Sequence, residues 1–338
     1  MVKEIIFDIK LLNMANLSTT FAGLKLRNPF IISSSGITSS LDKIRKLDSL
    51  GAGAIVLKSL FEEQILHESD KNLSGSDYPE ALDYVKAYTR DNSLVEYLNL
   101  IRDAKRAVHI PIIASINCIS ASEWMDFAIK IQDAGADALE LNVFFLPVNK
   151  EKSAQEYESI YYSLLEEIRK KISIPVIIKL GYHFTNLTYI VNQLYFRKAD
   201  GVVLFNRFYE PDINITDHKI TSSEVFSSPA DIRNSLRWVG IISSQIPQID
   251  IAASTGIHSG EAAVKQVLAG AKAVQVCSVL YKNGIDFLPK IIDRFESWMI
   301  ENNFKSVDEF CGKLNYSNVG DPAVYERSQF MKYFSSQN

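Results

Sequence analysis

Polar side chains recur in this sequence directly after short apolar runs, and their types suggest what they could bind. Two lysines, three asparagines and several hydroxyl groups stand at such positions, whereas carboxylates do not. The positions are Ser33-Ser34-Ser35-Gly36, Lys58-Ser59, Asn117, Asn142, Lys179, Asn206, Ser254-Thr255-Gly256 and Cys277-Ser278. Lysine and asparagine donate hydrogen bonds to carbonyl and phosphate oxygens. Together these residues favour a binding site for an anionic or amide-rich planar ligand. A single lysine at a strand end would be interpreted more simply, as a side chain that extends to solvent.

The apolar runs that precede these residues are rich in valine, isoleucine and alanine, and they are continuous rather than alternating. Such runs are typical of parallel strands buried on both faces. Eight occur: Pro29–Ser33, Ala54–Lys58, Ile112–Ile116, Ala138–Asn142, Val176–Leu180, Gly201–Phe205, Asp250–Ser254 and Ala273–Cys277. Eight βα units with right-handed crossovers predict an α/β fold that closes into a (β/α)8 TIM barrel. A doubly wound open sheet is the alternative, and the lack of a GxGxxG turn after the first strand argues against it.

Helices are predicted between the strands wherever apolar residues recur at helical spacing. They cover Ser122–Ala134, Ala154–Lys171, Thr185–Lys198, Ser259–Leu268 and Phe287–Asn302. Long insertions follow the second strand, at Leu60–Asn92, and the sixth, at Arg207–Ser228. In a barrel, both insertions and all the polar residues above lie at the C-terminal ends of the strands, so we expect them to surround one cavity.

The segments that follow strands seven and eight predict a phosphate-binding site. Ser254-Thr255-Gly256 ends strand seven, and Cys277-Ser278 ends strand eight. Loops at these two places in a barrel commonly offer backbone N–H groups and hydroxyls to an anion. Gly256 would allow the backbone to approach a phosphate closely.

The composition indicates an ordinary soluble protein. The chain has 338 residues, of which 47% are hydrophobic and 22% charged, and its net charge is −4. Without a basic face, nucleic acid is not an expected partner. The apolar runs are too short for a membrane span, and a signal-peptide pattern is absent, so a cytoplasmic location is predicted. Three widely spaced cysteines and five scattered histidines indicate a reducing compartment and no metal site.

The sequence predicts a short N-terminal extension followed by one domain. Residues 1–16 are interpreted as an N-terminal extension in which either Met1 or Met14 is the native start. Residues 17–338 are predicted to form a single barrel domain.

Six motifs in this order resemble those of dihydroorotate dehydrogenases, most closely the soluble class 1 group. They are Asn28-Pro29 with Ser34-Ser35-Gly36, Gly53–Ser59, Leu139–Asn142, Ile178–Leu180, Ser254–Ile257 with Gly260, and Val276–Ser278. The resemblance extends from Leu17 to about Leu314. It implies a barrel that binds FMN and oxidises dihydroorotate to orotate in pyrimidine biosynthesis, and it implies a homodimer.

The resemblance also implies roles for individual residues. Ser34, Ser35 and Gly36 would lie under the flavin ring, Lys58 would reach the flavin and the carboxylate side of the substrate, and Lys179 would lie near flavin N1/O2. Asn117 and Asn142 would contact flavin and substrate, and Thr255, Gly256, Cys277 and Ser278 would hold the phosphate. Ser59, Asn206 and Ser254 complete the expected cofactor-binding set, while Lys58, Asn142 and the position of Phe145 form the expected catalytic set.

The substrate half of the sequence departs from this family. Class 1 enzymes carry a cysteine base three residues after the strand-four asparagine, and here that position is Phe145, or Leu146 if one inserted residue is allowed. In the family, the strand-two loop also carries an orotate-binding asparagine in an Asn-x-x-Gly-Leu-Pro-Asn context, and the corresponding stretch Tyr84–Asn92 lacks that motif. A general base typically supplies about two to four orders of magnitude in rate. We expect the apolar loop Val143–Leu146 to cover the flavin face instead of moving a proton.

These departures leave several functions open. One is a dihydroorotate dehydrogenase with a base relocated to Cys118 or His183. Another is an FMN oxidoreductase for a different substrate, with a pocket shaped by Phe144, Phe145, Phe208 and Tyr209. A third is a catalytically inactive flavin-binding paralogue. A Schiff-base lyase that uses Lys58 or Lys179 is disfavoured because neither lysine has an expected acid or base partner.

Overall fold

The computed structural model describes residues 15–61, 79–117, 124–143 and 145–327. In chain order the strands are β1 (Thr19–Phe21), β2 (Leu24–Leu26), β3 (Phe30–Ile32), β4 (Ala54–Val56), β5 (Leu60–Phe61), β6 (Ile112–Asn117), β7 (Ala138–Asn142), β8 (Val176–Leu180), β9 (Gly201–Leu204), β10 (Pro211–Asn214), β11 (Lys219–Ser222), β12 (Asp250–Ser254) and β13 (Ala273–Val276). The helices are α1 (Leu41–Ser49), α2 (Pro79–Ala107), α3 (Trp124–Asp133), α4 (Ala154–Arg169), α5 (Leu187–Phe196), α6 (Ile232–Gln245), α7 (Gly260–Ala269), α8 (Ser278–Asn283), α9 (Leu288–Glu301) and α10 (Ala323–Glu326).

Eight of the described strands close into a parallel barrel, which confirms the predicted fold. The order around the barrel is β3, β4, β6, β7, β8, β9, β12 and β13, and the pairing of β13 with β3 completes the circle. All eight predicted strands are present, and β7, β8 and β12 have the predicted bounds. The main difference is β4, which ends at Val56, so Lys58 stands two residues beyond the strand.

Side chains of the barrel strands alternate between two buried layers, as the two-residue period of a strand requires. Ile31, Ile113, Ala138 and Ile177 point into the barrel and form one apolar cluster with their neighbours. The residues between them point outward and pack under the helices in a larger cluster. Both faces of each strand are therefore apolar in the lower part of the barrel, which explains why the strands appear as continuous hydrophobic runs.

A hairpin made of β1 and β2 closes the N-terminal end of the barrel. Phe21 and Leu26 are buried in the interior cluster. The Ala22 N–H donates to the carboxylate of Asp250, at the start of β12, over 2.8 Å. Gly201, at the start of β9, has no side chain, and a Cβ there would lie 3.2 Å from the Phe21 ring. The hairpin leaves the opposite end of the barrel as the end where strand termini can form a site.

The two insertions differ from their predicted extents. The first was predicted to run from Leu60 to Asn92, but α2 already begins at Pro79 and continues to Ala107. Proline is well tolerated in the first turn of a helix, so it marks a start here and not a loop. Residues 62–78 lie outside the described residues. The second insertion contains the antiparallel hairpin of β10 and β11, whose side chains are exposed.

Some of the described helices begin at side-chain caps, which fix where each helix starts. Ser153 and Glu156 form a reciprocal capping box at the start of α4, and the Asn186 side chain accepts the Tyr189 N–H at the start of α5. The predicted cap at Ser122 lies outside the described residues. Across the described ranges, the structure contains no helix with the length and apolar character that a membrane crossing requires. The division at residue 17 stays a prediction, since residues 1–14 are also outside the described part.

Candidate active site

A cavity of about 300 Å³ opens at the C-terminal ends of the barrel strands. Nine of the residues expected from sequence line it: Ser33, Ser34, Lys179, Asn206, Ser254, Thr255, Gly256, Cys277 and Ser278. They come from β3, β8, β9, β12 and β13 or from the loops that follow these strands. The remaining wall is formed by residues that sequence reasoning did not select, including Gln275, Phe226 and Tyr281.

The floor of the cavity is a buried polar network around Lys179. The Lys179 ammonium donates to the side-chain oxygen of Gln275 over 2.9 Å and to the Ser33 hydroxyl over 3.2 Å. The Glu140 carboxylate lies 3.6 Å from the same ammonium and accepts a hydrogen bond from the Gln275 amide. Lys179 is 6% exposed, so this ammonium is a fixed, poorly solvated positive charge directed at whatever occupies the cavity.

The sequence position of Glu140 relative to Asn142 indicates that it belongs to the site, although Glu140 does not stand at a strand end. Glu140 precedes Asn142 by two residues on β7, so both side chains point to the same face of the strand. Likewise, Gln275 precedes Cys277 by two residues. The expectation that the site would be free of carboxylates considered only residues at or beyond the strand ends. The structure corrects it, because the carboxylate lies one layer below the cavity.

Three asparagines, Asn117 on β6, Asn142 on β7 and Asn206 after β9, lie at the same end of the barrel as Lys179. Asn117 pairs in register with Asn142, and Asn142 pairs with Lys179. The Asn206 side-chain amide donates to the Asn142 side-chain oxygen over 2.6 Å. The side-chain oxygen of Asn117 is buried and has no hydrogen-bond partner among the described residues. A buried acceptor left in this state indicates a place where a donor from a ligand would be favourable.

Serine hydroxyls form a chain at one side of the site. The Ser34 hydroxyl lies 2.9 Å from that of Ser59, which in turn lies 2.8 Å from that of Ser115. The Ser59 N–H also donates to the Ser34 hydroxyl over 2.8 Å. Ser59 is therefore placed behind Ser34 and supports it, while Ser34 lines the cavity. Ser35 caps the short turn Gly36–Thr38, and a Cβ at Gly36 would lie 2.9 Å from the Tyr281 hydroxyl.

The loops after β12 and β13 lie together beside the loop after β3, because β13 pairs with both β12 and β3. Thr255 and Gly256 both have left-handed backbone conformations, with φ values of 75° and 82°. A Cβ at Gly256 would lie 2.2 Å from the backbone nitrogen of Ile232, at the start of α6. Glycine is thus required at position 256 because α6 approaches the backbone closely. From the sequence a different reason was expected, the close approach of a phosphate.

The end of the second insertion forms a cover over this side. The Ser227 N–H donates to the Ser278 hydroxyl over 3.0 Å, and the Lys282 ammonium donates to the Ser227 carbonyl over 3.0 Å. The Phe226 ring stacks on that of Tyr281 at 5.1 Å. His258 contacts the Ser227 hydroxyl, and its pKa is lowered by burial and by the nearby Lys282 ammonium.

Lys58 is not brought to this cavity. Its side chain is exposed and lines an adjoining cleft together with Ser59, Glu96 and Asp103. The position of Lys58 two residues beyond the end of β4 accounts for this, because the residue has left the inward-facing register of the strand. Of the two lysines selected from sequence, Lys179 alone lies at the cavity floor.

Phe145 packs against α4 and does not line the cavity, which is contrary to the expectation that this side chain helps to cover a flavin face. The Phe145 ring stacks on Tyr157 of α4 at 5.4 Å and lies 5.6 Å from Tyr161. Leu146 is 57% exposed, and Phe144 lies outside the described residues. The aromatic face of α4 offers Phe145 a nearer apolar partner than the polar mouth of the barrel does. Phe145 instead lines a second pocket of about 260 Å³.

His183, one of the two candidates for a relocated base, does not line the described cavity. His183 is exposed, lies 4.5 Å from the Phe208 ring and lines the second pocket with Phe145. Cys118 lies outside the described residues. Cys277 does line the cavity, but burial raises the pKa of its thiol, so it is a poor proton acceptor near neutral pH.

Comparison with known proteins decides the family. Residues 16–299 match the family model for dihydroorotate dehydrogenase. The chain belongs to the dihydroorotate dehydrogenase family. The resemblance inferred from the six motifs is thereby confirmed, and the barrel is that of a dihydroorotate dehydrogenase family member.

Curated relatives match along nearly their whole length. The catalytic subunit of dihydroorotate dehydrogenase B (NAD(+)) from Thermoplasma volcanium is 28% identical over 317 residues, which cover 88% of this chain and 98% of the relative. The corresponding subunit from Methanocaldococcus jannaschii is 25% identical, with 88% and 97% covered. Dihydroorotate dehydrogenase A (fumarate) from Lactococcus lactis subsp. cremoris is 26% identical, with 88% and 99% covered. The names differ in the compound they give, NAD(+) or fumarate, so they assign neither to this chain.

Membership in the dihydroorotate dehydrogenase family supports oxidoreductase chemistry of that type at this end of the barrel. Within the described residues, no group of three or more histidine, cysteine, aspartate or glutamate side chains could hold a metal ion. The cavity contains a fixed ammonium, hydroxyls, amides and one loop, after β12, with left-handed backbone. This donor set can bind a planar ligand that carries carbonyl oxygens and an anionic group.

Proposed function

We propose that this protein is an FMN-dependent oxidoreductase of the dihydroorotate dehydrogenase type whose substrate half has diverged. The observation that carries the proposal is that one cavity contains the Lys179 ammonium in its floor and the loops after β12 and β13 in its wall. A flavin needs both features, a cation near the part of its ring that becomes negative and a cradle for its phosphate.

The donor set fits FMN at both ends. At the phosphate end, Gly256, Cys277 and Ser278 line the cavity, and the Ser278 hydroxyl is held in place by the Ser227 N–H. At the ring end, Lys179 offers a positive charge, and the buried oxygen of Asn117 can accept an N–H group. When bound, a flavin supplies the capacity to accept a hydride from a substrate.

Residues of this chain would bind the flavin and orient it. Lys179 favours negative charge at the edge of the ring nearest to it, because its ammonium is fixed before any reaction and poorly solvated. Asn142 and Asn206 are joined by a hydrogen bond and present a preorganised amide pair. Phe226 and Tyr281 form an aromatic wall that limits access of water.

A proton acceptor for dihydroorotate is not apparent at the described cavity. Phe145 stands at the position of the family's cysteine and packs against α4, and burial raises the pKa of the Cys277 thiol. Dihydroorotate is therefore proposed to reduce the bound flavin about 10²- to 10⁴-fold more slowly than it does in members with the base.

The lack of a proton acceptor at the described cavity favours a second candidate function, an FMN oxidoreductase with a different substrate. An inactive flavin-binding paralogue is the limiting case in which no substrate reduces the cofactor. The cytoplasmic location and the homodimer stay expectations from composition and resemblance.

The test is the absorption spectrum of the purified protein before and after incubation with FMN. We expect a flavin spectrum and saturable binding, followed by slow anaerobic bleaching with dihydroorotate. A protein that stays colourless with excess FMN, and shows no thermal shift, would refute the proposal. Rapid bleaching by dihydroorotate would instead show that a base is present.

A further inference from the structure

Glu140 is a fully buried carboxylate in the middle of the barrel. Its side chain is 0% exposed and does not line the cavity. One carboxylate oxygen accepts from the Gln275 amide, and the other has no hydrogen-bond partner among the described residues, with the Lys179 ammonium 3.6 Å away. The layer of barrel side chains below it is apolar, including Ala138 and Ile177.

A charge in such a place is costly for folding. Replacing a buried ion pair by well-packed apolar residues is often neutral or stabilising, because both charges lose their hydration. Stability of the barrel therefore gives no reason for a carboxylate at position 140. The position of Glu140 directly below the cavity does give a reason for a carboxylate there.

Glu140 and Gln275 together determine where the Lys179 ammonium lies. The Gln275 side-chain oxygen accepts from Lys179 over 2.9 Å, while its amide group donates to Glu140. The carboxylate therefore fixes which way the Gln275 amide faces, and the amide in turn presents its oxygen to the ammonium. Ser33 completes the arrangement, since its hydroxyl accepts from Lys179 and donates to Gln275 over 3.1 Å.

We propose that Glu140 is a positioning residue that acts through Lys179 and lowers the reduction potential of the bound flavin. The proposal rests on the proposed binding of FMN. Lys179 alone would strongly favour the negatively charged, reduced cofactor. The carboxylate on the far side of the ammonium offsets part of that field, as two opposite charges at this separation must in a poorly solvated site. The protein thus sets the potential by a pair of charges, one at the cavity floor and one below it.

The experiment uses the holoprotein and compares Glu140→Gln with Glu140→Asp. Glu140→Gln keeps the shape and removes the charge, so we expect a more positive midpoint potential of bound FMN. Glu140→Asp keeps the charge, and its potential should remain close to that of the unaltered protein. Asp250→Asn, which removes a carboxylate at the opposite end of the barrel, is the control and should leave the potential unchanged.

Two results would overturn the proposal while FMN still binds. The potential of Glu140→Gln could equal that of the unaltered protein, or Glu140→Asp could shift it as much as Glu140→Gln does. The second result would indicate a purely structural effect.

A double-mutant cycle in the cofactor-free protein tests the link to Lys179 separately. Urea unfolding of Glu140→Gln, Lys179→Met and the double variant should show strong coupling, with the double variant more stable than the sum of the single losses predicts. Additive losses would refute the action through Lys179. If the unaltered protein binds no FMN, the proposed function and the effect on the potential both fail, and the cycle still decides whether the pair acts as a unit.

Discussion

Lys179 lies near the C-terminal end of β8 and Lys58 lies two residues beyond β4, yet their surroundings differ completely. Lys179 is buried among Ser33, Gln275 and Glu140, whereas Lys58 is exposed in an adjoining cleft. A charge at a buried, preorganised position acts on a ligand much more strongly than one in water does. Their contributions to a bound cofactor should therefore differ as well.

Replacement of Lys179 by methionine should weaken FMN binding by roughly 10- to 100-fold, because a charge-assisted hydrogen bond contributes about 1.5–3 kcal/mol. The midpoint potential should also fall. Fluorescence titration and spectroelectrochemistry would measure these changes. Lys25→Met is the matched control, since Lys25 is exposed on β2 at the other end of the barrel. Equal affinities for the two variants would contradict the role of Lys179.

Replacement of Phe145 by cysteine should not restore rapid oxidation of dihydroorotate, because this side chain faces α4. Loss of the stacked ring should lower the free energy of unfolding by roughly 1–3 kcal/mol. Leu146→Cys tests the alternative alignment and should change stability by less than about 0.5 kcal/mol, since Leu146 is mostly exposed. Stopped-flow flavin reduction and urea unfolding are the measurements. A 100-fold faster reduction in Phe145→Cys would show that the loop can turn toward the cavity.

Cys277 and Cys311 provide a test of where the ligand binds. Burial raises the pKa of both thiols, so both should react more slowly with iodoacetamide at pH 8 than an ordinary cysteine does. Only Cys277 lines the cavity, and Cys311 lies near the Ala271 carbonyl before β13. Saturating FMN should slow alkylation of Cys277 further and leave Cys311 unchanged, as measured by peptide mass spectrometry. Equal protection of both thiols would place the ligand elsewhere or indicate a global change.

At the level of elements, the loop from β12 to α7 depends on the position of α6. Gly256→Ala should destabilise the protein by about 3 kcal/mol or more, because its Cβ would meet the Ile232 backbone. Gly23→Ala is the control, since Gly23 has a similar φ of 77° and nothing within 4 Å of its Cβ position. That variant should lose only about 1–2 kcal/mol from backbone strain. Thermal unfolding compares the two, and equal losses would mean that strain alone matters at Gly256.

The elements that could be predicted from sequence are those whose pattern is local. Continuous apolar runs identified every barrel strand, and Ser34, Lys179 and Thr255 were found because they stand at strand ends. Glu140 was missed because its neighbours on both sides are leucines, and only the inward register of β7 shows that it belongs to the site. The cover formed by Phe226 could not be found, because its partner Tyr281 is distant in sequence and the contact depends on how the second insertion folds back.

The same limit applies to the second insertion. Arg207 is bound to Asp231 over 3.0 Å and to the Glu224 carbonyl over 2.6 Å, so the two ends of the insertion are held together. No local sequence pattern predicts these contacts of Arg207, since each partner is an ordinary charged residue or a backbone group. The hairpin of β10 and β11 projects beyond this clamp with Ile213 paired to Ile220, both exposed.

For the whole molecule, the two ends of the barrel have separate tasks. One end is filled by the hairpin of β1 and β2, and the other is open at the cavity. Phe21→Ala should therefore lower the free energy of unfolding by about 3–5 kcal/mol, as for other fully buried aromatic residues, without changing FMN affinity. Denaturant unfolding and FMN titration measure the two quantities. A parallel loss of affinity would show that the ends are coupled through the barrel.

The hairpin that closes the barrel also has a consequence for the order in which the chain can assemble. Ala22 binds Asp250, and the Thr19 hydroxyl binds the Lys272 carbonyl, across separations of 228 and 253 residues. During synthesis the hairpin emerges long before these partners, because so many residues separate them. Phe21, Leu24 and Leu26 must stay without their final neighbours until β12 and β13 are in place, and contacts this distant form slowly. The nascent chain thus exposes an apolar hairpin while the intervening strands are made, and we expect the closure of this end of the barrel to be a late event in folding.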